Sequence, residues 1–226
     1  RRSSATVARL KSTLSGLYRF AISEGYVEVN PVKLTGTIKQ SNGVVRWLSD
    51  EERLRLLGAC KESSWSKLYL LVLVALTTGA RRSELMYLQW SDIDFKNQLL
   101  SIKDTKNRED HTLPLTEHII NLLKAREIIS QGDFVFPGHD PKKALVNPNK
   151  QVKKVIEDSG VQFLLHDLRR TFATYADSLG IQHNTIKRLM NHKNNDVTST
   201  HYIHQSIETL RDPMQKITDY ILEKSK

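Results

Sequence analysis

The sequence predicts a mainly α-helical fold carrying one small antiparallel β-sheet, an α+β arrangement. Three observations lead there. Apolar residues recur at helical spacing over most of the 226-residue chain. The longest apolar run, LYLLVLVAL from Leu68 to Leu76, is roughly half of what a bilayer crossing needs and reads as a buried core helix. Only the stretch from Ile93 to Thr116 shows short alternating segments separated by turn residues.

Taken in order, Val7, Leu10, Leu14, Leu17, Tyr18 and Ala21 place a helix within residues 5–25, stopped at Gly25. Pro31 enforces a turn in NPVKL, Asn30 to Leu34. Residues 35–45 are polar and poor in bulky apolar groups, as a linker would be. Residues 1–34 then form the tail of one helical domain and residues 46–226 a second domain. Ser49 with Glu52 three residues on is a capping box, opening a helix that turns Leu54, Leu56 and Leu57 inward. The apolar run extends this to a helix from about Ser66 to Thr77, stopped near Gly79, and a further helix runs from Ser83 to Leu88.

The segment IDFKNQLLSIK supplies two strands around a Lys96-Asn97 turn. HTLPLT, His111 to Thr116, supplies a third, with NREDH, Asn107 to His111, as the hairpin tip between them. Helices follow at about 117–129, 148–158, 168–179, 183–190 and 206–224. In the last, Pro213 suits a helix start and Met214, Ile217, Tyr220 and Ile221 share a face.

Composition narrows the partners. Thirty-four Lys and Arg against 25 Asp and Glu leave a charge of +9 and a pI near 9.6, which suggests a polyanion such as nucleic acid. Cys60 is the only cysteine, so an intrachain disulfide and a cysteine-based zinc cluster are excluded and a reducing compartment is favoured. No secretory signal opens the chain, and RRSSATVARL starts abruptly in helical sequence.

Three clusters could carry chemistry, one of them made of two stretches, residues 166–180 and LMNHKNNDVTSTHYIH. HDLRRTFATYADSLG, residues 166–180, puts His166, Arg169 and Arg170 where a helix begins, although the positive end of the helix dipole disfavours cations there. An anion lodged among those side chains and the free backbone N–H groups would reverse the sign of that cost. TGARRSEL sets Arg81 three residues before Glu84, a pairing common as a purely structural device. Lys106 lies in DTKNRED, where a hairpin could swing its ammonium onto a substrate oxygen. LMNHKNNDVTSTHYIH holds His192, Tyr202 and Asn191, the last a candidate left-handed helix cap. Tyr18, Tyr69 and Tyr87 lie in apolar patterns and read as core. His166, His192, His201 and His204 lack i,i+4 pairing around an acidic residue, so no metal site is expected.

TGARRSEL, the TK before the hairpin, HDLRRTFAT, and NH ten residues before Tyr202 stand in the order that marks the tyrosine recombinases of the phage-integrase family. The resemblance covers about residues 46–205, and AISEGYVEVNPV is similar to the end of that family's core-binding domain, which residues 1–34 would then represent. It implies a tyrosine-recombinase catalytic-domain fold, with Tyr202 as nucleophile, Arg81 and Arg169 gripping the scissile phosphate, His166 and His192 supporting it, and Lys106 protonating the leaving oxygen. Glu84 would support Arg81. Asn191 departs from the family's usual glycine, a position where asparagine tolerates a left-handed backbone.

The implied activity is metal- and ATP-independent cleavage and rejoining of DNA through a 3′-phosphotyrosine, with no cofactor. The implied partner is double-stranded DNA, bound by a homotetramer on paired sites, with accessory DNA-bending proteins and no membrane. The C-terminal helix would dock on a neighbouring protomer, or else close its own core. The setting would be cytoplasmic and nucleoid-associated, in a prokaryote, phage or mobile element. The rival readings are a type IB topoisomerase, a non-cutting DNA-binding relative and a metal-dependent nuclease.

Overall fold

The computed structural model describes residues 2–39, 45–103, 110–192 and 207–223. The chain divides into two compact units, Arg1–Val45 and Arg46–Lys226.

In the first unit, helix α1 spans Ser4–Ser23 and starts where the Ser3 hydroxyl accepts from the Thr6 amide. A 3₁₀ turn at Pro31–Leu34 is tied back to it by Asn30. Its side-chain oxygen accepts from the Val32 amide and its nitrogen donates to the Ser15 carbonyl, both at 3.1 Å. α1 buries no residue, and Leu10, Leu14, Leu17 and Phe20 stay exposed along one face.

The second unit is built around α3 (Leu68–Thr78), in which every residue except Tyr69 is buried. At about 1.5–3 kcal/mol for each large apolar side chain removed from water, this helix dominates the core. The hydroxyls of Thr77 and Thr78 avoid a desolvation cost by donating to the Leu73 and Val74 carbonyls. α3 packs mainly on α7 (Leu165–Ser178), and also on α2 (Asp50–Lys61), α5 (Glu117–Ile128) and α9 (Arg211–Leu222). The Ser49–Glu52 capping box at the start of α2 has both its bonds.

Strands β1 (Ile93–Asp94), β2 (Leu99–Ile102) and β3 (His111–Pro114) form one antiparallel sheet in the order β1-β2-β3. Leu100 pairs with Ile93 and Leu113, and Ile102 pairs with His111. His111 therefore belongs to a strand and not to the hairpin tip. At the β1–β2 turn one Asp94 oxygen accepts from the Lys96 and Asn97 amides, and the left-handed residue is Gln98.

Several boundaries differ from the periodicity. α4 is short, Arg82–Met86, and leaves Tyr87 61% exposed and out of the core. α7 begins at Leu165, ahead of residue 168, because Asp167 accepts from the Leu164 amide and caps it. The segment from 206 divides into a 3₁₀ turn at Ile207–Leu210 and α9. α6 (Asn149–Ser159) and α8 (His183–Leu189) lie where expected.

Within this chain α9 buries Met214, Ile217, Thr218 and Ile221 in its own core. Buried Arg53, which the apolar pattern of α2 gives no reason to expect inside, donates to the Ile221 and Glu223 carbonyls and lies 5.5 Å from the centre of the Tyr220 ring. Tyr220 in turn donates to Asp50 at 2.8 Å. This clasp holds the end of α9 against α2.

Candidate active site

Gly79 ends α3 in a left-handed conformation, with φ of 62°, that only glycine adopts freely. A Cβ there would also meet the Phe172 ring of α7 at 2.7 Å. The chain can therefore turn against α7 and enter α4 through Arg81, whose backbone is extended. Glu84 fixes Arg81 twice, accepting from its amide at 2.6 Å and from its guanidinium at 2.8 Å.

Arg169 lies on α7, only 5% exposed. It donates to the Gly79 carbonyl and to the Met190 carbonyl. Arg81 donates to the next carbonyl, Asn191, at 3.2 Å, so two guanidinium groups from well-separated parts of the sequence meet at one helix end. α8 closes as a Schellman motif: the Asn191 amide donates to Arg188, the His192 amide donates to Lys187, and Asn191 takes the left-handed position at φ 50°. The carbonyls beyond the motif are thereby turned outward. The negative end of the α8 dipole faces the arginines.

The cations at the head of α7 are answered within the protein. Asp167, 4% exposed, caps the helix and pairs with Arg170 at 3.1 Å. Arg169 rests on carbonyl oxygens. A bound anion is thus not required to make this helix start tolerable. The arginines nevertheless retain binding capacity, since guanidinium has five N–H donors and the described bonds of Arg169 involve one bond from each of two nitrogens. Burial first, and then the nearby Arg81 charge, pull Arg169 down to about 10, still charged at neutral pH.

His192 is exposed just after α8, its pKa lowered by partial desolvation and by Arg169 and Arg81. His166 is exposed in the first turn of α7, one turn ahead of buried Arg169, so their shared helix spacing does not give them the same environment. The structure therefore brings Arg81, Glu84, Arg169 and His192 together. Lys106 and Tyr202 lie outside the described residues. Among the described residues no three His, Cys, Asp or Glu side chains form a group that could hold a metal ion, and no helix is long and apolar enough to cross a membrane.

One residue at this site has no local signal in the sequence. His111, at the start of β3, places its Nε2 3.0 Å from the Leu189 carbonyl, 78 residues away.

Residues 46–209 match the phage integrase family. The prophage integrase IntF of Escherichia coli K12 is 30% identical over 67% of this chain, which spans 34% of that protein. A XerC-like tyrosine recombinase of Caldanaerobacter subterraneus is 26% identical, covering 93% of this chain and 67% of its own length. The fold is shared with a lambda integrase (residues 75–356) dimer bound to a COC′ core site, at a TM-score of 0.68 and 23% identity over 90% of this chain and 77% of that one. A pair of arginines held at one helix end by an internal carboxylate and successive carbonyls thus sits in a fold of known kind, and the chain belongs to the phage integrase family, its second unit having the fold of a tyrosine recombinase catalytic domain.

Proposed function

We propose that this chain carries the strand-cleaving centre of a site-specific DNA recombinase working through a 3′-phosphotyrosine. The observation that carries the reading is the placement of Arg81 and Arg169 on the neighbouring Asn191 and Met190 carbonyls. Glu84 offsets only one of these two like charges, so the pair keeps a net positive charge, and guanidinium geometry suits the two non-bridging oxygens of a phosphodiester. Because both groups are positioned before any substrate arrives, they stabilise the extra negative charge of the pentavalent transition state without reorganising.

In this reading the Tyr202 phenolic oxygen attacks phosphorus and gives its proton to His166. The new bond is phosphorus to tyrosine oxygen, and the bond broken is phosphorus to the 5′ oxygen. Lys106 delivers a proton to that leaving oxygen, and His192 supports a phosphate oxygen. The phosphotyrosine keeps the ester, so attack by another 5′ hydroxyl reverses the step without ATP. Support for a DNA partner and for assembly comes from the structural neighbours, which include a lambda integrase dimer on a core site and a tetramer on a Holliday junction. Residues 1–34 would be the end of a core-binding domain.

A suicide DNA substrate that loses its 5′ fragment after cleavage tests the reading. The chain should become covalently joined to DNA, mass analysis should locate the link at Tyr202, and Tyr202→Phe should give no adduct. An adduct that persists in that variant, or one mapped elsewhere, would overturn the assignment.

A further inference from the structure

We propose that His111 is a positioning residue for the cleavage reaction, setting the C-terminal end of α8 through the Leu189 carbonyl. Three successive carbonyls leave that helix end: Leu189 accepts from His111, Met190 from Arg169 and Asn191 from Arg81. Two of the donors belong to the proposed phosphate grip. The third comes from the sheet, from the residue that opens β3 opposite Ile102, and shares no chemistry with substrate.

A carbonyl oxygen can only accept, so Nε2 of His111 carries the proton and the ring is fixed in that tautomer. The imidazole is half-buried, and the charges felt by it are Glu84, which draws a proton on, and Arg169 and Arg81, which repel one. A lysine or arginine in its place would add a third permanent cation to the pair. A neutral donor satisfies the carbonyl without that cost. The bond joins the root of the strand that follows the Lys106 segment to the helix end that precedes His192 and the Tyr202 segment. Its loss would free the Leu189 carbonyl and allow the Met190 and Asn191 carbonyls, and with them both guanidinium groups, to shift.

This inference rests on the phosphotyrosine reading for its kinetic consequence and on geometry alone for its structural one, so the test has two readouts. In single-turnover cleavage of a suicide substrate, His111→Leu should lower the cleavage rate by about 10- to 100-fold, as misplacement by up to about 1 Å does, with DNA affinity and melting temperature nearly unchanged. His111→Gln, whose amide can reach the same oxygen, should recover most of the rate. Hydrogen exchange at the Asn191 and His192 amides should accelerate in His111→Leu and not in His111→Gln. A wild-type rate in His111→Leu, or rate, affinity and melting temperature falling together, would overturn the positioning role. If the wild-type chain forms no adduct, the phosphotyrosine reading fails, and the exchange readout alone then decides: unchanged exchange in His111→Leu overturns the structural claim, and accelerated exchange upholds it.

Discussion

In the proposed reading Arg169 would have two tasks that a single substitution can separate. As a donor to the Gly79 and Met190 carbonyls it holds three segments together, and as a cation it would neutralise phosphate. Arg169→Lys keeps the charge but loses the planar fork, so cleavage should fall by about two orders of magnitude or more while DNA affinity, shared among many phosphate contacts, changes by a few-fold. Cleavage and affinity lost in equal proportion would make Arg169 an ordinary binding residue.

Gly79→Ala is expected to destabilise the second unit by about 1–3 kcal/mol, because the left-handed backbone and the Phe172 ring both oppose a Cβ. Urea unfolding measures it. Asn191→Gly, at the other left-handed position, should change stability by less than about 1 kcal/mol, since asparagine already tolerates that backbone.

His111 adds a pH dependence of definite sign. Its folded-state pKa is lowered, chiefly by burial, so the unfolded chain binds the proton more readily. Stability should therefore fall as pH drops through and below the ordinary histidine value of about 6.5. The fall should be smaller in His111→Gln, as chemical denaturation at several pH values would show.

At the scale of elements, the resemblance pointed α9 towards a neighbouring protomer, whereas within this chain it buries Met214, Ile217 and Ile221 and is clasped by Arg53 and Tyr220. Each such large-to-nothing loss costs about 2–5 kcal/mol, and a whole domain has only about 5–15 kcal/mol in hand. Deleting residues after Asp212 should accordingly abolish cooperative thermal unfolding. A truncated chain that still melts sharply would show the helix to be dispensable for the fold.

The elements easiest to read from sequence were those with local causes, such as the Ser49–Glu52 box, the uninterrupted apolar face of α3 and the left-handed Asn191. Tyr87 was misread because α4 ends at Met86, and nothing in the apolar spacing announces that stop.

Over the whole molecule, the +9 surplus sets how the chain should meet DNA. Affinity should decline steeply and linearly in a plot of its logarithm against the logarithm of salt concentration. A substitution at Arg169 should alter that slope by about one at most, since it removes one phosphate contact from many.

What sequence alone determined was the inventory: a basic, mostly helical chain with one small sheet, and two arginines, two histidines, a lysine and a tyrosine in a recognisable order. These follow from composition, periodicity and motif, which are properties of neighbours along the chain. Which groups meet was decided by tertiary structure. Arg81 and Asn191 are 110 residues apart and His111 and Leu189 are 78 apart, and only tertiary packing, including that of α7 on α3 and on α8, brings donors and carbonyls within bonding distance. A hydrogen bond depends on fractions of an ångström, and no pattern of residue types carries that information across such separations.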